Sequence, residues 1–525
     1  MLFNSYEFIL AFLPVVLIVF YLLGSRGWME AAIVWLVAAS LFFYGWWNPL
    51  YLGLLCASLA ANFWLGRKLV PDAPQPGGRK AWLVAGLLLN LGLLAYYKYA
   101  NFFVDSLGKV TGFDGSIGAI VLPLAISFYT FQQIAYLVDA YRGDTREYSF
   151  SHYCLFVTFF PQLIAGPIVH HREVLPQFAR PGAFRLDHLK LAMGLTLFAI
   201  GLFKKVVLGD GMAVYASPAF AAAASGTTLS FFEAWLGTLA YTLQLYFDFS
   251  GYSDMACGLA LMFGIRLPAN FHSPYKAVNI IDFWRRWHIT LSRFLRDYLY
   301  VPLGGNRHGP WRRHVNLMIT MLLGGLWHGA GWTFVLWGGL HGAYLVINHL
   351  WHALLRRCGL APGAGGWPAR CAAGLLTFVA VIVAWVPFRA ANIDTACSVL
   401  SSMAGLNGIG LPSGLAATIR AGAPWAADLL RLNFDGSFPN NLVFWAEGLP
   451  WMGLLLVIVF AAPNSNQLLR RHHPVLLPEH LSLERGALRF PVWAPGPASV
   501  LVTSIALVWS LTWMTRVSEF LYFQF

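Results

Sequence analysis

The chain has 525 residues, of which 58% are hydrophobic and only 11% charged, and it contains 22 tryptophans. A soluble protein carries about 25% charged residues, so this composition lacks the polar surface to cover itself in water and predicts a polytopic membrane protein. The net charge of +12 reads as a topology signal, because Lys and Arg collect in cytoplasmic loops; basic residues lying between apolar spans do not form a nucleic-acid surface.

In chain order, the N-terminal MLFNSYEFILAFLPVVLIVFYLLG lacks a basic leading region and reads as a first spanning helix, not a cleavable signal. Apolar runs follow near 8–23, 31–47, 50–66, 81–97, 119–138, 190–208, 231–247, 314–331, 333–351, 371–388, 449–462 and 497–515. Some fall short of the roughly 20 residues of a perpendicular crossing, which tilt or re-entrant geometry accommodates. The expected architecture is an all-α multi-pass bundle of about 11–13 membrane segments. With no internal repeat, residues 1–525 read as one membrane domain. Basic links at 67–80, around 170–190, 265–313 and 463–495 belong in the cytoplasm by the positive-inside rule, and the more acidic 402–448 belongs outside, which places both termini outside. The cysteines Cys56, Cys154, Cys257, Cys358, Cys371 and Cys397 show no C-x-x-C spacing and read as small apolar packing groups.

Three stretches fit no plain spanning helix. FVTFFPQLIAGPIVHH (156–171) is broken by Pro161, Gly166 and Pro167, and such backbone is tolerated at membrane depth only where it is buried in protein or lines a cavity. YTLQLYFDFSGYSDMACGLALMFG (241–264) carries Gln244, Asp248, Ser250, Ser253 and Asp254 through an apolar passage. The third runs from Arg266 to Arg313, with nine Lys or Arg against Asp282 and Asp297. Helical spacing puts Arg286, Arg293 and Asp297 of this stretch on nearly one face. It reads either as an interfacial helix reaching to lipid headgroups or as an electropositive cytoplasmic vestibule for an anionic donor; the two are compatible. Together the three stretches predict a polar chamber inside the membrane body.

Two histidines stand out. His288 lies in the basic stretch, and His328 lies in GGLWHGAGW, crowded by Gly324, Gly325, Gly329, Ala330 and Gly331, which permit close approach of another backbone or a substrate. A histidine in such surroundings is either a hydrogen-bonded core residue or a base; a neutral imidazole can take a proton from a hydroxyl that attacks a carbonyl, as O-acyl transfer requires. His341, His349 and His352 have helical spacing without a partnering acid and read as packing groups, so no metal site is expected. Neither H-E-x-x-H nor G-x-S-x-G occurs.

FHSPYKAVNIIDFWRRWHITLSRFLRDYLYVPLGGNR followed by NLMITMLLGGLWHGAGWTFVLWGGLHG closely resembles the membrane-bound O-acyltransferase family, in its bacterial alginate O-acetyltransferase-like branch. The likeness extends to YYKYANFFVDS, LPLAISFYTFQQIAYLVDAYRGD, FPQLIAGPI, LYFDFSGYSDMACGL, WVPFRA and the terminal FLYFQF. The resemblance implies a helical bundle pierced by a central tunnel, with His328 as catalytic histidine and His288 as the second family histidine. It implies a bacterial inner-membrane O-acetyltransferase that binds no cofactor and draws an acetyl group from acetyl-CoA or an acyl-carrier thioester. The acetyl group would serve O-acetylation of an exopolysaccharide such as alginate or a cellulose-like glycan, reached indirectly through a periplasmic SGNH-type partner. On this reading Arg285, Arg286, Trp287 and Arg293 hold the donor, Asp248, Ser250 and Trp327 line the tunnel, and membrane lipid surrounds the body. Tyr522 in the tail is a candidate acyl relay, because a phenyl ester passes its acyl group readily to an alkyl hydroxyl; otherwise the tail is an aromatic interfacial anchor. The competing expectations are a secondary transporter or channel using Gln244, Asp248 and Asp254, and a non-catalytic scaffold for a polysaccharide-modifying complex.

Overall fold

A computed structural model describes residues 1–70, 78–112, 117–118, 120–145, 149–361, 365–411, 413–423, 425, 429–433, 444–481 and 492–515. Every apolar run meets a helix. The first part of the chain forms Glu7–Ser25, Met29–Gly45, Leu50–Leu69 and Arg79–Thr111, then Ile126–Arg142. The second contains His188–Ala224 and Phe231–Met262, the hairpin Gly309–His328 and Trp332–Arg357, then Gly366–Arg389, Leu449–Ala461 and Pro497–Trp513. Val500, Leu501, Val502, Ile505, Val508 and Trp509 of the last helix are exposed, as are Leu10, Val15, Ile18 and Leu22 of the first. Apolar faces of that extent on a protein's outside belong against lipid.

The centre is Phe231–Met262. Its start is fixed by Glu233, whose carboxylate accepts from the Ser230 backbone N–H at 2.8 Å, one half of a capping box. At 1.5 Å per residue its 32 residues extend about 48 Å, more than the ~30 Å hydrocarbon core. From Ala240 to Met262 every residue is buried, so protein surrounds this helix on all sides. His188–Phe203 lies antiparallel to it at two glycine pairs. A Cβ on Gly201 would sit 2.6 Å from the Gly251 carbonyl oxygen, and one on Gly194 would sit 2.7 Å from that of Gly258. Small residues at matched spacing bring two membrane helices to backbone contact, where dispersion and not hydrophobicity holds them.

That contact delivers charge to the interior. Immediately after Gly201 the helix widens into a π-turn, Lys204–Gly209, which carries two adjacent lysines toward the central helix. Lys205 Nζ lies 2.7 Å from Asp210 Oδ1 and 2.7 Å from Asp248 Oδ1, and Lys204 Nζ lies 2.8 Å from Asp254 Oδ2, which also accepts from Ser465 Oγ at 2.7 Å. The acids of the 241–264 stretch are thus held in ion pairs between helices.

The stretch 156–171 breaks as expected. Phe150–Thr158 and the short turn Phe160–Leu163 give way to non-helical backbone over 164–170, all of it buried. Gly166 is required there, since a Cβ would meet Gln162 Cα at 2.4 Å. The freed backbone groups find partners in the other irregular stretch: Ile168 N–H donates to Thr290 Oγ1 at 3.0 Å, and Arg293 Nη2 donates to the Ile168 carbonyl at 3.4 Å. Non-helical chain at membrane depth survives by such mutual satisfaction.

The expected face of Arg286, Arg293 and Asp297 does not form. Ile280–Arg286 ends, His288 takes a left-handed backbone (φ +42°), and Ile289–Leu295 restarts in a new direction before a π-turn over Arg296–Tyr300. The break arises because Asn270 competes for the backbone: its carbonyl accepts from Ile289 N–H at 3.0 Å and its side-chain oxygen accepts from Thr290 N–H at 3.3 Å.

Candidate active site

His328 is the last residue of Gly309–His328 and is 2% exposed. Its ring is enclosed by Trp327, Trp337 and Phe388, with centroids 5.0, 5.1 and 5.3 Å away. The surrounding glycines serve mainly the hairpin partner: a Cβ on Gly325 would lie 2.3 Å from the Phe334 carbonyl oxygen, and one on Gly329 would lie 2.1 Å from the Phe334 ring. Close approach at this site is therefore to the hairpin partner, of backbone to backbone at Gly325 and of backbone to the Phe334 ring at Gly329, with Trp337 of the second helix against the imidazole.

His288 is fully buried, its ring 6.2 Å from that of His328 and 4.8 Å from Phe249. The break that overturns the expected helix is what turns it inward. His288 Nδ1 lies 3.1 Å from Asn270 Oδ1, an atom that also receives the N–H and hydroxyl of Thr290. An amide oxygen only accepts, so Nδ1 carries the proton in this assignment and a neutral His288 keeps Nε2 as an acceptor. His341, read from sequence as a packing group, is fully buried in the same aromatic cluster, 4.9 Å from Trp337 and 5.1 Å from Trp284.

The predicted site residues divide into three places. His328, His288 and Trp327 meet directly, with Trp327 also stacked on Phe131 at 5.1 Å. Asp248 and Ser250 flank Phe249, which touches His288, but both are buried and Asp248 is ion-paired. The third place is the surface before His288. Arg285 is exposed, Arg286 pairs with Asp282 at 2.7 Å, and Arg296 pairs with Asp297 at 2.7 Å. His480 lies in their field: partial burial, then the charges of Arg285, Arg296 and Arg286, hold its imidazole below the ordinary pKa. Arg293 turns away into a bidentate pair with Glu173, at 2.5 and 2.9 Å. Trp287 is buried between Phe271 and Trp385 at 5.1 and 5.0 Å. Tyr522 lies outside the described residues.

One residue of the site escaped the sequence reading. Lys98 is buried, and its Nζ donates to the Trp327 carbonyl at 2.5 Å and to Ser127 Oγ at 3.1 Å. An isolated lysine at the end of an apolar run looks like an interfacial residue; the helix in fact continues to Thr111 and carries it inward.

Fold and site define a polytopic helical membrane protein with a buried two-histidine centre beneath a basic surface. A model of the membrane-bound O-acyltransferase family matches residues 140–383, which include both histidines. A peptidoglycan O-acetyltransferase of Helicobacter pylori is 42% identical over 89% of this chain and 90% of its own length. A probable alginate O-acetylase AlgI of Azotobacter vinelandii is 44% identical over 77% of this chain and 78% of its own. A teichoic acid D-alanyltransferase of Bacillus subtilis is 28% identical over 45% of this chain. The chain belongs to the membrane-bound O-acyltransferase family and is an acyltransferase.

Proposed function

We propose that the chain is a bacterial inner-membrane O-acetyltransferase that takes an acetyl group from a cytoplasmic thioester, acetyl-CoA or an acyl carrier, and passes it outward for O-acetylation of an envelope glycan. The observation that carries this reading is proximity: exposed Arg285 precedes fully buried His288 by three positions, and the His288 ring lies 6.2 Å from that of His328. A donor phosphate held at the surface by Arg285 and Arg286 leaves its acyl end to reach the histidines through a tunnel in the bundle, so the charged part need not enter lipid. Asp248, Ser250 and Trp327 line or border that path.

The chemistry asks for one base. The neutral imidazole of His328 takes the proton of the accepting hydroxyl as its oxygen bonds to the acyl carbon. The carbon–sulfur bond breaks, and the thiolate leaves as the free thiol with that proton. The first acceptor is Tyr522 or a hydroxyl on a periplasmic SGNH-type partner, from which the acetyl group moves to the polymer. The polymer is an exopolysaccharide of the alginate or cellulose kind, or peptidoglycan. The relatives named for alginate and for peptidoglycan support these two, and the one named for peptidoglycan aligns over the larger share of the chain.

Purified protein incubated with acetyl-coenzyme A radiolabelled in the acetyl group tests the reading. Wild type is expected to release thiol and take up covalent label and His328→Ala to do neither; Tyr522→Phe is expected to do neither where Tyr522 is the first acceptor, and to regain thiol release when a hydroxyl acceptor is supplied. Wild-type turnover by His328→Ala refutes the assignment. Comparing O-acetyl content of isolated sacculi and of secreted polysaccharide after gene deletion identifies the polymer.

A further inference from the structure

The end of the His328 helix poses a question of hydrogen-bond accounting. The last carbonyls of an α-helix have no intrahelical donor. Gly329 N–H reaches back to the Gly325 carbonyl at 3.4 Å, and the chain then leaves in an extended conformation (φ −161°). The carbonyls of Leu326, Trp327 and His328 must therefore be satisfied elsewhere, in a place where His328 is 2% exposed. At an exposed terminus water does this; inside a membrane protein an unmet carbonyl is costly.

Two adjacent residues of another helix meet all three. Tyr99 Oη donates to the Leu326 carbonyl at 2.9 Å, and Lys98 Nζ donates to the Trp327 carbonyl at 2.5 Å and reaches the His328 carbonyl at 3.5 Å. Ser127 Oγ holds the ammonium from the other side at 3.1 Å, and the Trp327 ring lies 5.8 Å from it. Both residues sit in a π-turn, Ala95–Tyr99, in the middle of the helix Arg79–Thr111. Single π-turns inside α-helices occur often at functional sites. A cation at a helix C-terminus is also favoured by the helix dipole.

We propose that Lys98 and Tyr99 form a cross-helix cap that positions the His328 imidazole, with Lys98 as a positioning residue for acyl transfer. This rests on His328 being the base. The cap fixes the carbonyls of the three final residues, so it fixes where the helix stops and how the imidazole meets the reacting hydroxyl. Lys98 lies outside the matched family segment 140–383, and its role is argued from these hydrogen bonds.

The experiment compares wild type, Lys98→Met, Lys98→Arg, Tyr99→Phe and His328→Ala in detergent, following thiol release from acetyl-coenzyme A with a soluble hydroxyl acceptor in excess. An ångström of misplacement at a reacting group costs about 100-fold, so Lys98→Met is expected to lower kcat by about that factor with the KM for acetyl-coenzyme A unchanged. Lys98→Arg, which keeps the cation and its donors, is expected to recover at least about tenfold of this loss, and Tyr99→Phe to lower kcat by about threefold to tenfold, again without a KM change. If Lys98→Met does not fold, the other two variants decide. Wild-type kcat in both Lys98→Arg and Tyr99→Phe together with wild-type kcat or misfolding in Lys98→Met overturns the proposal, as does a loss that appears in KM alone. Wild-type turnover by His328→Ala instead overturns the base assignment beneath it.

Discussion

Replacing Lys205 with methionine isolates the energetics of the charge cluster on which the central helix rests. Lys205 is fully buried and its ammonium lies 2.7 Å from both Asp210 and Asp248. The Asp210 side chain is 11% exposed, so water can relieve part of its charge, but that of Asp248 is 1% exposed. Methionine matches the lysine stem in bulk, so the loss is electrostatic: a buried carboxylate left without its cation. Removing one partner of a buried pair costs about 3–5 kcal/mol, or roughly two to four decades in the folded-to-unfolded ratio at 1.4 kcal/mol per decade. Removing both charges together is often neutral, so Lys205→Met/Asp248→Asn is expected to regain most of that stability. Equilibrium unfolding in mixed micelles of mild detergent and dodecyl sulfate, followed by tryptophan fluorescence, measures both. An unchanged unfolding midpoint for Lys205→Met, or a double variant no more stable than the single, refutes the claim that Lys205 and Asp248 form a buried pair whose balance matters.

Four further outcomes are expected. Gly201→Leu places a Cβ 2.6 Å from both the Gly251 oxygen and the Met255 nitrogen, which forces the two helices apart; overpacking costs about 1–3 kcal/mol or more, and a lower yield of monodisperse protein in size-exclusion chromatography reads it. Gly27→Ala serves as the control, since nothing lies within 4 Å of its Cβ and only the strain of its positive φ (+78°) remains. Arg285→Ala is expected to raise the KM for acetyl-coenzyme A about fivefold at low salt, as loss of one exposed contact of about 1 kcal/mol implies, with the difference from wild type fading as ionic strength rises. Trp337→Phe keeps an aromatic ring beside His328 and removes an indole N–H that has no hydrogen-bond partner among the described residues. Deleting an unmet buried donor relieves its desolvation cost, so calorimetry is expected to show equal or greater stability; a clear loss would mean that the N–H is bonded in the working protein.

Much of the site was legible because the membrane makes polarity conspicuous. His328 stood out as an imidazole in a glycine-rich apolar run, His288 as its counterpart in a basic stretch, and 156–171 as a segment whose prolines and Gly166 could not continue a helix. Helical periodicity failed between Arg286 and Ile289, because it assumes backbone hydrogen bonds stay local, and here Asn270 takes the backbone of Ile289 and Thr290. Lys98 was missed for a related reason. Hydropathy ended the span at residue 97, whereas the helix continues to Thr111, and the burial of Lys98 and its bonds to Trp327 and Ser127 show that the lysine faces inward.

The sequence by itself determined that this chain is a bundle of membrane helices, where most of those helices begin to within a few residues, and which histidines merit attention. Those features depend on local composition and on the cost of placing polar groups in hydrocarbon, which each segment meets alone. The tertiary structure decided which charges neutralise one another, which glycines serve helix contact, and that Lys98 and Tyr99 close the helix ending in His328. These are pairings between residues as far apart as Lys98 and Trp327, and a hydrogen bond about 3 Å long leaves no mark on the periodicity of either segment.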